Sequence, residues 1–161
     1  RSFIYAQRLG NLTPKPVTYI ENRKGGLLYD SYYISHVSPC THVLKEVIKD
    51  VHFPNRMQIF AAFGKFTAVL HERGIMHEDY SMGNILFEPN EQGAQFQLVD
   101  LNRMRFGQNI TLRRGCRNFE RIDTDSAALS AIARAYAQAR GFEEEEGGGL
   151  VLKMRWRKHK K

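Results

Sequence analysis

Helically spaced apolar stretches alternate along this chain with short β-branched and aromatic runs, and Gly or Pro marks most of the breaks between them. Phe3, Ala6 and Leu9 define a helix over Ser2 to Leu9 that must end at Thr13-Pro14-Lys15-Pro16. Val17 to Ile20 and Leu27 to Ile34 read as strands of a hairpin turning through Asn22-Arg23-Lys24-Gly25-Gly26. Thr41 is placed to cap a short helix through about Lys49, and Pro54-Asn55 opens the next. From Arg56 to Arg73, Ile59, Phe63, Phe66 and Leu70 form a helical stripe that Met57, Phe60 and Val69 widen, which predicts a core helix stopped at Arg73-Gly74.

Two strands, Ile85 to Phe87 and Phe96 to Val99, follow across a turn-rich connection. A register that faces Leu86 with Leu98 sets Asn84 opposite Asp100. Asp125-Ser126 caps a last helix to about Arg140, with Leu129, Ile132, Ala133 and Tyr136 inward and Gly141 as its stop. Glu143 to Glu146 followed by Gly147-Gly148-Gly149 reads as a flexible joint.

Composition narrows this little. With 161 residues and 42% hydrophobic content, the chain can bury one real core. The most apolar stretch, Ile59 to Leu70, is too interrupted for a membrane span, and no signal peptide is expected. Cys40 and Cys116 match no metal or redox spacing and read as free thiols of a reducing, cytoplasmic compartment. Starting at Arg1 in mid-helix, the sequence is expected to belong to a longer chain.

Charge changes the picture more. Of the net +7, six cations fall in the final stretch (Lys153, Arg155, Arg157, Lys158, Lys160, Lys161), leaving +1 elsewhere. A solvated terminus is the first reading of that tail; an anionic membrane surface is the second and nucleic acid the third.

The chemistry concentrates in His77-Glu78-Asp79, Asn84 and Asp100. An Asp five residues before an Asn, then two strands ending in Asp, supplies the parts for phosphoryl transfer from a magnesium nucleotide. Magnesium takes hard oxygens, which Asn84 and Asp100 offer, and Asp79 can accept a hydrogen bond from the attacking hydroxyl. His77 reads as a structural residue bonded to nearby backbone. Between Arg103 and Arg121 six arginines, among them Arg103, Arg113, Arg114 and Arg117, stand against one acid, a composition suited to an anionic, phosphorylated saccharide.

The run from His71 to Phe106, including His-Glu-Asp-Tyr-Ser-Met-Gly-Asn and Leu-Val-Asp-Leu-Asn-Arg, resembles the bacterial lipopolysaccharide kinases, the Kdo and heptose kinases of the protein-kinase-like superfamily. The resemblance implies an α+β, protein-kinase-like fold, mostly the helical C-lobe with an incomplete N-lobe hairpin. It divides the chain into a partial N-lobe and hinge (1–37), a C-lobe with the catalytic loop (38–149) and a basic tail (150–161). It makes Asp79 the catalytic-loop residue and Asn84 and Asp100 the magnesium ligands. Leu86 and Val99 would lie beneath ATP, and Ser35, His36 and Val37 would form the hinge that meets adenine. An ATP-dependent kinase of an inner-core sugar hydroxyl follows, peripheral to the inner membrane face, with an anionic glycolipid as acceptor.

Departures keep two rivals open: a pseudokinase scaffold and a small-molecule kinase of the aminoglycoside or choline type. Glu78 replaces the usual Arg of the catalytic loop, no Ala-Pro-Glu follows Asp100, and neither a Gly-rich loop nor a strand Lys precedes the first helix, which itself lacks an acid.

Overall fold

The computed structural model describes residues 1–159. Helix α1 (Ser2–Leu9) leads through a 3-10 turn into a long hairpin, β1 (Pro16–Lys24) and β2 (Leu27–Ser35). Gly25 and Gly26 both take positive φ, 57° and 83°, the conformation that a two-residue hairpin turn demands at both positions. Then come β3 (His42–Val43), α2 (Leu44–Lys49), α3 (Arg56–Glu72), β4 (Met76–His77), β5 (Ile85–Asn90), β6 (Gly93–Leu98), β7 (Met104–Arg105), α4 (Leu112–Arg117), α5 (Ser126–Ala139) and α6 (Glu144–His159). Three antiparallel sheets result: β1-β2, β3-β5-β6 and β4-β7.

The core lies where α3 meets α5 and β6. Ile59, Phe60, Phe63 and Leu70 of α3 are buried with Leu129, Ile132, Ala133 and Tyr136 of α5. Met57 and Val69, expected to widen the apolar face of α3, are instead exposed at 43% and 41%, because the helix is covered on one side only. Asp125 caps α5 as expected, its Oδ1 accepting from the Ala128 N–H at 2.8 Å.

Thr41 does not cap α2. Its N–H and hydroxyl both donate to Glu88 Oε2, at 3.0 and 2.8 Å, and the start of α2 is closed by Glu46 Oε1 accepting from the Val43 N–H at 3.1 Å. Nor is Gly147-Gly148-Gly149 a joint. All three lie inside α6, where Gly147 is buried against α5 so closely that an added Cβ would stand 2.4 Å from the Ala133 carbonyl oxygen. Gly64 does the same for α3, 2.3 Å from the Ile132 carbonyl. Missing side chains let both helices seat on α5, a packing role that glycine spacing alone does not distinguish from flexibility.

The basic tail continues α6 through His159, with the Arg155 guanidinium donating to the Thr124 carbonyl oxygen; Lys160 and Lys161 lie outside the described residues. Among the described residues no helix is long and apolar enough to cross a membrane.

Candidate active site

The strands β5 and β6 are one residue out of the expected register. A two-residue turn at Glu91-Gln92 pairs Asn90 with Gly93, so Ile85 faces Leu98 and Leu86 faces Gln97. This sets Ile85, Phe87, Phe96 and Leu98 together on the buried face, which is the stronger determinant of register than any single polar pair. Asn84 consequently faces Val99, its carbonyl accepting the Val99 N–H at 2.9 Å, and Asp100 lies one residue further along.

The loop before Asn84 is anchored from below. Tyr80 is buried; its ring stacks on Phe63 at 5.6 Å and its hydroxyl meets Thr67 Oγ1 at 2.8 Å, while Thr67 donates to the Phe63 carbonyl. Above that anchor the chain turns tightly, with the Ser81 N–H and the Asn84 side-chain amide both donating to the Asp79 carbonyl, at 2.8 and 3.2 Å.

His77 joins the two halves of the site. Its Nδ1 accepts the Asp79 N–H at 3.1 Å, so the ring proton sits on Nε2, which donates to the Asp100 carbonyl at the same distance. Burial holds the imidazole below the ordinary histidine range, opposed by the Val99 and Asp100 backbone and by the Asp100 and Asp79 charges. The structural part expected of His77 is what it performs.

Asp100 has φ 55° and ψ 63°, a left-handed conformation that Asp enters more readily than most non-glycine residues and that hydrogen bonds hold here. Besides the His77 bond, Asn102 Nδ2 donates to Asp100 Oδ1 at 3.0 Å and Ser2 Oγ donates to Asn102 Oδ1 at 2.9 Å, which ties the start of α1 to the site. This relay was not foreseen from the sequence, although an acid and an amide two residues apart in a turn are spaced for a local side-chain bond.

Asp79, Asn84 and Asp100 thus belong to one hydrogen-bonded patch. Beside it opens a cleft of about 880 Å³ between the start of α1, the β1-β2 hairpin and Val99–Asn102. Ser35, Val99 and Asp100 line it; His36, Val37 and Leu86 do not. His36 gives its N–H to the Lys15 carbonyl at 2.9 Å, and Val37 is 95% exposed, so the expected hinge segment turns away after Ser35. Leu86 is held between β3 and β6, paired with Val43 and Gln97.

Asn84 and Asp100 offer hard oxygens of the kind magnesium takes. With Nδ2 of Asn84 engaged, its Oδ1 is turned the other way, and Asp100 keeps Oδ2 beyond the oxygen that Asn102 holds. Among the described residues no group of three or more His, Cys, Asp and Glu is suited to a metal, so a cation here would complete its shell with phosphate and water oxygens.

The arginines divide. Arg103 Nη1 stands 3.9 Å from Asp79 Oδ2, and Arg105 Nε meets Glu78 Oε1 at 2.5 Å. Arg113 and Arg117 are exposed on α4, whereas Arg114 donates to the Asn109 carbonyl at 3.2 Å and to Gln108 Oε1 at 2.9 Å. Both cysteines are buried free thiols, and burial pushes the Cys116 thiol up to about 12, which makes it inert.

The family model of the lipopolysaccharide kinases (Kdo/WaaP) matches residues 6–139, and the chain belongs to that family. Among solved structures, one described as WaaP in complex with acyl carrier protein aligns over 98% of this chain and 72% of that one, with a TM-score of 0.66 and 17% identity. That likeness is one of fold, and the fold is protein-kinase-like. A search of curated proteins gave no match.

Proposed function

We propose that the chain carries the catalytic half of an ATP-dependent kinase that phosphorylates a sugar hydroxyl, of Kdo or heptose, in the lipopolysaccharide inner core. Family membership supports the class of substrate. The observation that carries the chemistry is His77, which fixes the Asp79 N–H and the Asp100 carbonyl to opposite sides of one neutral ring.

In this reading Asp79 accepts a hydrogen bond from the acceptor hydroxyl and orients it for in-line attack. Asn84 and Asp100 hold magnesium, which when bound neutralises charge on the transferring phosphate. The nucleotide occupies the cleft along Ser35 and Val99. Exposed Arg113 and Arg117, with Arg103 beside Asp79, meet the anionic acceptor. The enzyme works at the cytoplasmic membrane face, where the basic end of α6 favours anionic lipid.

Mass spectrometry of a lipid A–core acceptor incubated with the full-length protein, ATP and magnesium tests the reading. One added phosphate on an inner-core sugar is the expected product. Nucleotide binding without transfer to any acceptor would favour the pseudokinase scaffold, a reading consistent with the absence of an acid from α1. Transfer to an aminoglycoside or choline instead would favour the small-molecule kinase.

A further inference from the structure

Asn102 bridges the Asp100 carboxylate and the start of α1. Its Nδ2 donates to Asp100 Oδ1 at 3.0 Å, and the other end of the same amide accepts from Ser2 Oγ at 2.9 Å. Both ends of the bridge are fixed. The Asp100 backbone is held by the His77 bond to its carbonyl, and α1 is seated further along the same segment, where Phe106 takes the Tyr5 ring at 5.1 Å and the Arg8 guanidinium at 4.6 Å. Ser2, Tyr5 and Arg8 follow at intervals of three and so share one face of the helix. Asn102 itself is exposed and lines the cleft, so its place is set by these bonds rather than by burial.

We infer that Asn102 is a specificity-determining residue for the cation, confining Asp100 to ligation through one oxygen and so favouring magnesium over calcium, with Ser2 as its positioning residue. This rests on the kinase reading above and adds to it the choice of ion. A carboxylate can offer a metal one oxygen or both. Calcium, larger and looser in its geometry, often takes both, whereas magnesium keeps a strict octahedral shell made largely of phosphate and water oxygens and needs only one. The Asn102 amide turns its N–H, the positive end of a dipole, to Asp100 Oδ1. An ion seated across both oxygens would meet that charge and compete with it for Oδ1. An ion on Oδ2 alone does neither.

Calorimetric titration of the full chain with a non-hydrolysable ATP analogue, once in saturating magnesium and once in saturating calcium, tests this without turnover. The wild type should bind the analogue more tightly with magnesium. Asn102→Ala should narrow that preference about three- to tenfold, chiefly by strengthening the calcium complex. Ser2→Ala should shift the ratio in the same direction to a lesser degree and add nothing in an Asn102→Ala background, while Ser2→Thr should keep the wild-type ratio. A general loosening of the site would weaken both complexes together. An unchanged ratio in Asn102→Ala, or a wild type that binds equally well with either ion, would overturn the inference and leave the kinase reading standing. A Ser2→Ala effect that persists without Asn102 would overturn the part given to Ser2. Failure of the wild type to bind the analogue with either ion would overturn the kinase reading and this inference with it.

Discussion

The Tyr136 hydroxyl lies 2.7 Å from His71 Nδ1, deep between α3 and α5. Arg140 Nη1 donates to the same oxygen at 2.6 Å, so the tyrosine proton is directed at the imidazole, which must be neutral to accept it. Burial, aided by the charges of Arg140 and Arg114, pushes His71 down to about 3, and burial also lowers His77. In both, the unfolded chain binds the proton more readily than the folded one. The contribution of His71 is therefore complete above about pH 6.5 and is lost as pH falls towards about 3, and that of His77 falls in the same direction. Denaturant melts between pH 7 and 4 should show stability declining by up to about 1.4 kcal/mol per pH unit on account of His71, with His77 adding to the decline in the same direction. Tyr136→Phe should cost about 1–3 kcal/mol at pH 7, because His71 Nδ1 and Arg140 both lose the hydroxyl between them.

The three glycines of α6 make a second prediction with opposite signs in neighbouring positions. A Cβ at Gly147 would stand 2.4 Å from the Ala133 carbonyl oxygen and 2.6 Å from the Ala137 Cβ, whereas one at Gly149 would meet nothing within 4 Å. Gly149→Ala should stabilise by about 0.5–1 kcal/mol through helix propensity. Gly147→Ala should instead destabilise by about 1–3 kcal/mol, because α6 must lift off α5. Thermal melts of the two variants measure this, and two equal stabilisations would mean that the helices are not in contact.

Those glycines also show where sequence reading ran out. The start of α5, the β1-β2 turn and the inner face of α5 were legible because each depends on residues adjacent in the chain: Asp125 at a cap, Gly25-Gly26 at a turn, Leu129 and Ile132 one helical turn apart. That Asp79 and Asn84 come together was legible for a similar reason, since they share one loop. What failed depended on partners distant in sequence. Thr41 left its cap for Glu88, 47 residues on, and Gly147 packs on an α5 that nothing near it announces. The β5-β6 register turned on a two-residue turn hidden in a longer polar run.

The hydrogen bonds around Asp100 separate its two roles. Asp100→Asn keeps an oxygen to accept from Asn102 but removes the charge, while Asp100→Ala removes both and leaves the left-handed backbone with only the His77 bond to its carbonyl. Under the kinase reading, either change should weaken magnesium-dependent ATP binding, seen as a lost thermal shift. Only the alanine variant should also lower stability, by about 0.5–1.5 kcal/mol. Asp79→Ala should behave differently, reducing transfer by about 10²–10⁴-fold while the magnesium-ATP thermal shift survives. A loss of nucleotide binding in Asp79→Ala would assign that residue to the nucleotide rather than to the acceptor.

Arg113 and Arg114 are neighbours in α4 with different obligations, which allows acceptor docking to be told from loop support. Arg114 donates to Asn109 and Gln108, and the Gln108 N–H donates in turn to the Gly74 carbonyl at 3.0 Å, so Arg114 braces the loop against the end of α3. Arg113 is exposed and has no such duty. Arg114→Ala should lower stability by about 0.5–1.5 kcal/mol, and Arg113→Ala should leave it within about 0.5 kcal/mol of wild type. If α4 faces the acceptor, both variants should raise the KM for the glycolipid more than that for ATP, and Arg113→Ala should do so without moving Tm. Equal rises in both constants would show that α4 acts on the site through folding alone. An acceptor KM changed by Arg114→Ala but not by Arg113→Ala would restrict docking to the loop that Arg114 braces.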